Sequence, residues 1–304
     1  MASIRGFSLS QLAIRSRTIA LAMVMAGAAT VASADPPDAR GNDSFLALGD
    51  SVPFGYIAAD GFAYVNANNF VGYPDYVGGD LRFRTTNASC PGETSSSFIS
   101  ATGADNGCRA FRARFPLHVS YTSTQLDYAT NFLATHKHAR LVTIMLGAND
   151  GLLLQQSCHG DLACIQAGLP MVLSTLAANM NTILASLRAT GFRGVLVVVN
   201  YYSLDYTDPT QTGLIVLLNQ TLAAVAAANG AVVADAFKAF RTAASTPFAG
   251  GKTCRAGLLN VNPADPTQAT CDDHPTQSGH QLLADTIEAA FEAAGTHRKM
   301  ADRN

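Results

Sequence analysis

The chain lacks a basic run. Its 20 Lys and Arg are scattered among 22 Asp and Glu, for a formal net charge of −2. Nothing in it can neutralise a row of phosphates, which excludes nucleic acid as a partner. It also lacks a Cys-x2-Cys pair and a His-Glu-x-x-His segment, so no metal and no cofactor are expected. No low-complexity linker and no internal repeat interrupt residues 35 to 304, which are read as one domain. The amino-terminal apolar run, Ile19 to Ala29, falls short of the roughly 20 residues of a membrane span. No stable span is expected.

What precedes Asp35 reads as a secretory signal. Arg5, Arg15 and Arg17 carry positive charge, no acidic residue accompanies them, and Ala32-Ser33-Ala34 follows the apolar run. That order is a charged region, an apolar region and a small-residue cleavage site. Residues 1–34 are therefore expected to be removed, and the protein to be extracellular or periplasmic. Six cysteines remain, and an even number in an exported chain favours disulfides. They fall into three neighbourhoods, so the economical pairing is Cys90–Cys108, Cys158–Cys164 and Cys254–Cys271.

Strand and helix patterns alternate along the chain. Phe45 to Leu48 is an apolar run that stops at Gly49-Asp50-Ser51, a buried strand ending in a sharp turn. Leu81 to Thr86 alternates as a strand does. Thr94 or Ser95 can cap a following helix, and Thr122 to His136 has apolar residues at helical spacing. Leu141 to Leu146 and Val195 to Val199 read as buried strands, and Ala231 to Ala234 as a short one. Residues 152–170 read as a disulfide-stapled excursion before a helix from Met171 to Ala189. Further helices are expected at Gly213 to Ala228 and from Gln277 to Ala294. Residues 235–270 read as mixed, with a Gly-, Asn- and Pro-rich loop from Gly250 onward. Alternation of this kind predicts a parallel sheet covered by helices on both faces.

Ser51, Gly92 and Asn149 each follow a predicted strand, so they converge on one edge of such a sheet. His274 precedes the last helix, in a predicted loop. A serine needs a base to become a nucleophile, and histidine suits that task near neutral pH. The Ser51 and Gly92 backbone N–H groups and the Asn149 side-chain amide would be three donors for a developing oxyanion.

Four blocks carry a resemblance. They are Gly49-Asp50-Ser51, Gly92 within Asn-Ala-Ser-x-x-Gly-x-Thr, Gly147-x-Asn149-Asp150, and His274-Pro275-Thr276. In this order they resemble the SGNH hydrolase superfamily of GDSL esterases and lipases, over Phe45 to about Ala289. The Gly-x-Ser-x-Gly elbow of the α/β-hydrolases is absent around Ser51. The resemblance implies a three-layer α/β/α sandwich with a central parallel sheet, flavodoxin-like. It also implies a serine esterase or lipase acting on small-molecule or lipid esters, with Ser51 as nucleophile and His274 as base. Ser51, Gly92 and Asn149 are then the oxyanion hole. Carbohydrate deacetylation and acyl transfer are alternatives within the superfamily, and a non-catalytic binding protein is the alternative outside it.

One position departs from that pattern. The family's aspartate three residues before the histidine is here Cys271, followed by Asp272 and Asp273. Asp272 is taken as the residue that orients His274, with a carbonyl near Cys271 and Asp273 left open as alternatives. Asp150 is expected to hold its own loop. Tyr201, Tyr202 and Tyr206 either line an acyl pocket or pack on the core. His280 is read as packed or surface, and His118, His136, His138 and His159 as surface.

Overall fold

The computed structural model describes residues 43–58, 63–262 and 270–301. The expected signal segment and its cleavage site lie outside them. The chain runs β1 (Ser44–Gly49), α1 (Ser51–Phe54), α2 (Tyr73–Leu81), β2 (Arg84–Asn87), α3 (Ser95–Ile99), α4 (Cys108–Arg112) and α5 (Gln125–Thr135). It continues with β3 (Ala139–Met145), α6 (Ala148–Ser157), α7 (Leu162–Ala189), β4 (Val195–Val199), α8 (Pro209–Ala228), β5 (Val232–Ala234) and α9 (Ala236–Ala244). It closes with β6 (Leu259–Val261), β7 (Cys271–Pro275) and α10 (Gln277–Ala301).

Five strands form one parallel sheet in the order β2-β1-β3-β4-β5. This is the flavodoxin-like doubly wound order, whose switch point lies between β1 and β3. Strands covered on both faces read as continuous apolar runs, and every residue of β1 and β4 is buried. Helices α2, α9 and α10 pack among themselves on the sheet, as do α5, α7 and α8. The α/β expectation holds, and Ser51 and Asn149 follow the two strands that flank the switch point.

Several expected boundaries differ. The strand expected from Leu81 begins at Arg84, because Leu81 ends α2 and Arg82 turns left-handed with φ +56°. The stapled excursion at 152–170 is helical. α6 occupies its first part, and α7 starts at Leu162, with Asp161 accepting the Cys164 N–H at 2.7 Å. Pro170 lies inside that helix. α8 begins at Pro209 rather than Gly213, with Asp208 as its cap. α9 falls in the part of the stretch read only as mixed, before the loop expected from Gly250. His274 is not in a loop: it lies in β7, paired antiparallel with β6.

The three disulfides are Cys90–Cys108, Cys158–Cys164 and Cys254–Cys271, the pairing expected from neighbourhood alone. By length and composition, α7 and α8 are each apolar enough to cross a membrane. Each nevertheless lays one side on the core. Leu176, Met180, Ile183, Leu184 and Leu187 of α7 are fully buried, each contributing about 1.5–3 kcal/mol relative to exposure.

Candidate active site

The turn that carries Ser51 depends on glycine. Gly49 has φ +133°, and a Cβ there would overlap the Met145 carbonyl oxygen of the neighbouring strand. Gly49 therefore lets β1 turn sharply beside β3 and deliver Ser51 at the start of α1. Gln125 grips the turn twice, accepting from the Gly49 N–H at 2.6 Å and donating to its carbonyl at 3.0 Å. Asp50 caps α1, accepting from the Val52 N–H at 3.0 Å and from the Tyr201 hydroxyl at 2.5 Å. Burial pushes the Asp50 carboxyl up to about 6, with those two bonds opposing it.

Ser51 Oγ lies 2.9 Å from His274 Nε2, across 223 residues of sequence. β7 brings the histidine there, and its strand is tied at Cys271 to Cys254. Thr276 immediately precedes α10 and accepts from the Gly279 N–H at 3.2 Å, as a capping threonine does. The Tyr56 ring stands 4.8 Å from the imidazole, centroid to centroid.

The other ring nitrogen has two acidic neighbours. Asp273 Oδ1 is 3.1 Å from His274 Nδ1 and Asp272 Oδ2 is 3.7 Å away. Neither contact has hydrogen-bond geometry, and no backbone carbonyl among the described residues supplies one, so Nδ1 and Asp272 Oδ2 are both buried without a partner. Asp272 Oδ1 is occupied by the His274 N–H at 2.9 Å. The carboxylates differ in exposure, 16 % for Asp272 and 52 % for Asp273. Burial pulls the His274 pKa down, but Asp272 and Asp273 more than offset it, leaving the net value above that of an ordinary histidine.

Gly92 has φ +83°, and a Cβ there would strike the Asn106 carbonyl. Its turn is bound to the Ser51 turn through Cys90, whose N–H donates to the Gly49 carbonyl at 3.0 Å. Asn149 lies in the first turn of α6 and is buried, with its Oδ1 accepting from Asn106 Nδ2 at 2.7 Å. The neighbouring Asp150 accepts from the Ser95 N–H at 2.9 Å and from its hydroxyl at 2.5 Å. It joins α6 to α3, rather than holding a loop of its own, because Asp150 already lies in the first turn of α6.

Ser51, Asn149, His274 and Asp273 line one cavity of about 390 Å³. Leu152, Ile165, Leu169, Val172, Leu173 and Leu214 make much of its lining apolar, and Gln155, Asp208, Thr210 and Gln211 also line it. Gly92 and Asp272 are not part of that lining. Gly92 connects to it through Asn106, and Asp272 through His274.

The sequence model of the GDSL-like Lipase/Acylhydrolase family matches residues 47–282. The chain belongs to this family. As a member, it is a carboxylic ester hydrolase. No curated protein matches it. The solved structure of phospholipase A1 from Streptomyces albidoflavus NA297 is 18 % identical, with a TM-score of 0.56, covering 82 % of this chain and 99 % of that one. An alpha/beta hydrolase enzyme from the metagenome of Lake Arreo, Spain, is 16 % identical, with a TM-score of 0.50, covering 84 % of this chain and 97 % of that one. At these identities the likeness is one of fold.

Within this GDSL-type fold the aromatic residues divide. Tyr201 and Tyr202 line the cavity, and the Tyr202 hydroxyl donates to the Asp273 carbonyl at 2.6 Å. Tyr206 instead donates to the Phe237 carbonyl at 2.9 Å and packs edge-on to its ring. His280 is packed in the core, where burial drives its pKa down to about 3. His136, His138 and His159 are exposed. His118 is not a surface residue as expected: it is half-buried, 3.0 Å from the Phe54 carbonyl. Sequence reasoning missed Gln125 and Asn106. Gln125 acts on a residue 76 positions away and Asn106 on one 43 positions away, and no local pattern marks either.

Proposed function

We propose that the chain hydrolyses esters with an apolar acyl chain through an acyl-enzyme on Ser51. The observation that carries this is the 2.9 Å contact between Ser51 Oγ and His274 Nε2, both of which line a cavity with a largely apolar lining. Nε2 takes the hydroxyl proton as Oγ attacks the ester carbonyl carbon. The oxygen that becomes negative faces the Ser51 and Gly92 N–H groups and Asn149 Nδ2. Collapse breaks the bond to the alcohol, which leaves with the proton held on His274. Water then repeats the sequence on the acyl-enzyme, with His274 again as base, and frees the acid.

Asp272 is the orienter in this reading, with Asp273 adding charge. The orphaned Asp272 Oδ2 and the orphaned Nδ1 face one another. Closing that gap removes two unpaired buried groups, whereas Asp273 is largely open to water. Catalytic hydrogen bonds often tighten only with substrate bound. Asp272→Asn is expected to lower kcat by at least tenfold, and Asp273→Asn by less. The base works neutral, so kcat/KM rises with pH through the His274 pKa. Because that pKa is raised, the acidic limb is expected above about pH 6.5, and Asp272→Asn should move it to lower pH. Near-wild-type kcat with an unmoved limb in Asp272→Asn leaves a Ser51–His274 dyad.

The acyl wall is tested with p-nitrophenyl acetate, butyrate and palmitate. Each methylene buried against leucine contributes about 0.8 kcal/mol, so butyrate is expected to exceed acetate by about tenfold in kcat/KM. Turnover confined to acetyl esters would support the deacetylase alternative instead. Three disulfides support work in an oxidising compartment outside the cytosol, consistent with an exported chain.

A further inference from the structure

Asn106 stands in the loop closed by the Cys90–Cys108 disulfide, and three hydrogen bonds meet on it. Its backbone N–H donates to the Gly92 carbonyl at 3.0 Å. Its Nδ2 donates to Asn149 Oδ1 at 2.7 Å. Its Oδ1 accepts from Gln156 Nε2 at 3.1 Å, on α6 about two turns beyond Asn149.

An asparagine amide has a donor end and an acceptor end, and half a turn of χ2 exchanges them. For Asn149 the choice matters, because only Nδ2 can stabilise an oxyanion. A donor held against its Oδ1 leaves Nδ2 as the end available to the cavity. The same logic acts one step back. Gln156 donates to Asn106 Oδ1, which commits Asn106 to presenting Nδ2 to Asn149. The polarity therefore runs in one sense, from Gln156 to Asn106 to Asn149. The Asn106 backbone meanwhile holds the turn that bears Gly92.

We infer that Asn106 is a positioning residue that orients the Asn149 amide and steadies Gly92, so that both donors serve one oxyanion. This rests on the oxyanion assignment proposed above. It makes a prediction that packing alone does not. Alanine at 106 releases Asn149 to turn. Aspartate at 106 keeps the volume but is an acceptor only. It draws Asn149 Nδ2 toward itself and turns Oδ1 toward the developing negative charge. A purely structural role would rank aspartate as the milder change, and the positioning role ranks it as the more severe.

Steady-state kinetics on p-nitrophenyl butyrate decide the matter, with circular dichroism to monitor folding. The set is Asn106→Ala, Asn106→Asp, Asn149→Ala and the double variant Asn106→Ala/Asn149→Ala. Asn106→Ala is expected to lower kcat about tenfold and Asn106→Asp about a hundredfold, within the range for losing one oxyanion donor, with KM changed by less than about twofold. In the Asn149→Ala background, Asn106→Ala should cost no more than about twofold further, because the two act through one amide. The inference is overturned if Asn106→Asp matches or exceeds Asn106→Ala in kcat, if the losses lie in KM, or if the Asn106→Ala loss persists in full without Asn149. If Asn106→Asp does not fold, the Asn106→Ala cycle decides alone. An unchanged kcat in Asn149→Ala by itself is a different failure: it removes the oxyanion assignment, and this inference with it.

Discussion

Ser51→Ala is expected to lower kcat for p-nitrophenyl butyrate by about 10⁶, the scale for removing the nucleophile of a serine hydrolase. In the proposed mechanism the loss is so large because Ser51 and His274 act as one unit. Without Oγ, the imidazole has only water to activate, and no acyl-enzyme forms. The fold should survive. The cap of α1 is the Asp50 carboxylate, not the serine hydroxyl, and the grip of Gln125 falls on Gly49. Ser51 is half-buried at the cavity head, so losing one oxygen leaves no closed void. Mass mapping after treatment with a serine-directed phosphonate should find the label on Ser51 in the wild type and none in the variant. Retained turnover, with labelling at another serine, would refute the assignment.

Asn149→Ala comes next, with an expected loss of about 10²–10³ in kcat, or roughly 2.7–4 kcal/mol of transition-state stabilisation. The amide bonds weakly to a neutral carbonyl oxygen and strongly to the oxyanion that replaces it. The cost should therefore fall on kcat, with KM nearly unchanged. The stability cost should be small, since the Asn106 amide left without its partner is only half-buried and can turn to water. A loss confined to KM would make Asn149 a ground-state binding residue.

How much of this was legible beforehand depended on how local each signal was. β1, β3 and β4 are continuous apolar runs because they are buried on both faces, and each was readable from its own residues. So was the Thr94 end of α3, whose cap lies beside the helix it starts. The start of α7 was hidden. Gly168 and Pro170 look like breakers, yet the helix runs through both from an Asp161 cap. The β6–β7 pair was hidden for another reason: Cys-Asp-Asp-His-Pro carries no strand pattern, and its pairing partner lies ten or more residues away. α9 was legible in principle, since Ala236, Phe240 and Ala244 recur every four residues and are buried, but its stretch was read only as mixed. At the site, the four blocks marked the residues proposed to act on substrate. The groups bonded to those blocks, Gln125, Asn106 and Tyr201, are ordinary residues given meaning only by partners far away in sequence.

The order of the disulfides bears on how the chain reaches its native state. First pairs with second, third with fourth, and fifth with sixth, at separations of 18, 6 and 17 residues. Of the fifteen pairings open to six cysteines, this is the one that a chain emerging amino end first makes by default. Each thiol meets its native partner before any competitor has appeared. Oxidation can then keep pace with emergence, and the slow thiol exchange that corrects crossed pairings is not required. On that order the Cys90–Cys108 link is expected to close first, around Gly92 and Asn106, so part of the frame of the proposed oxyanion donors would be set before the strand that carries His274 has been made.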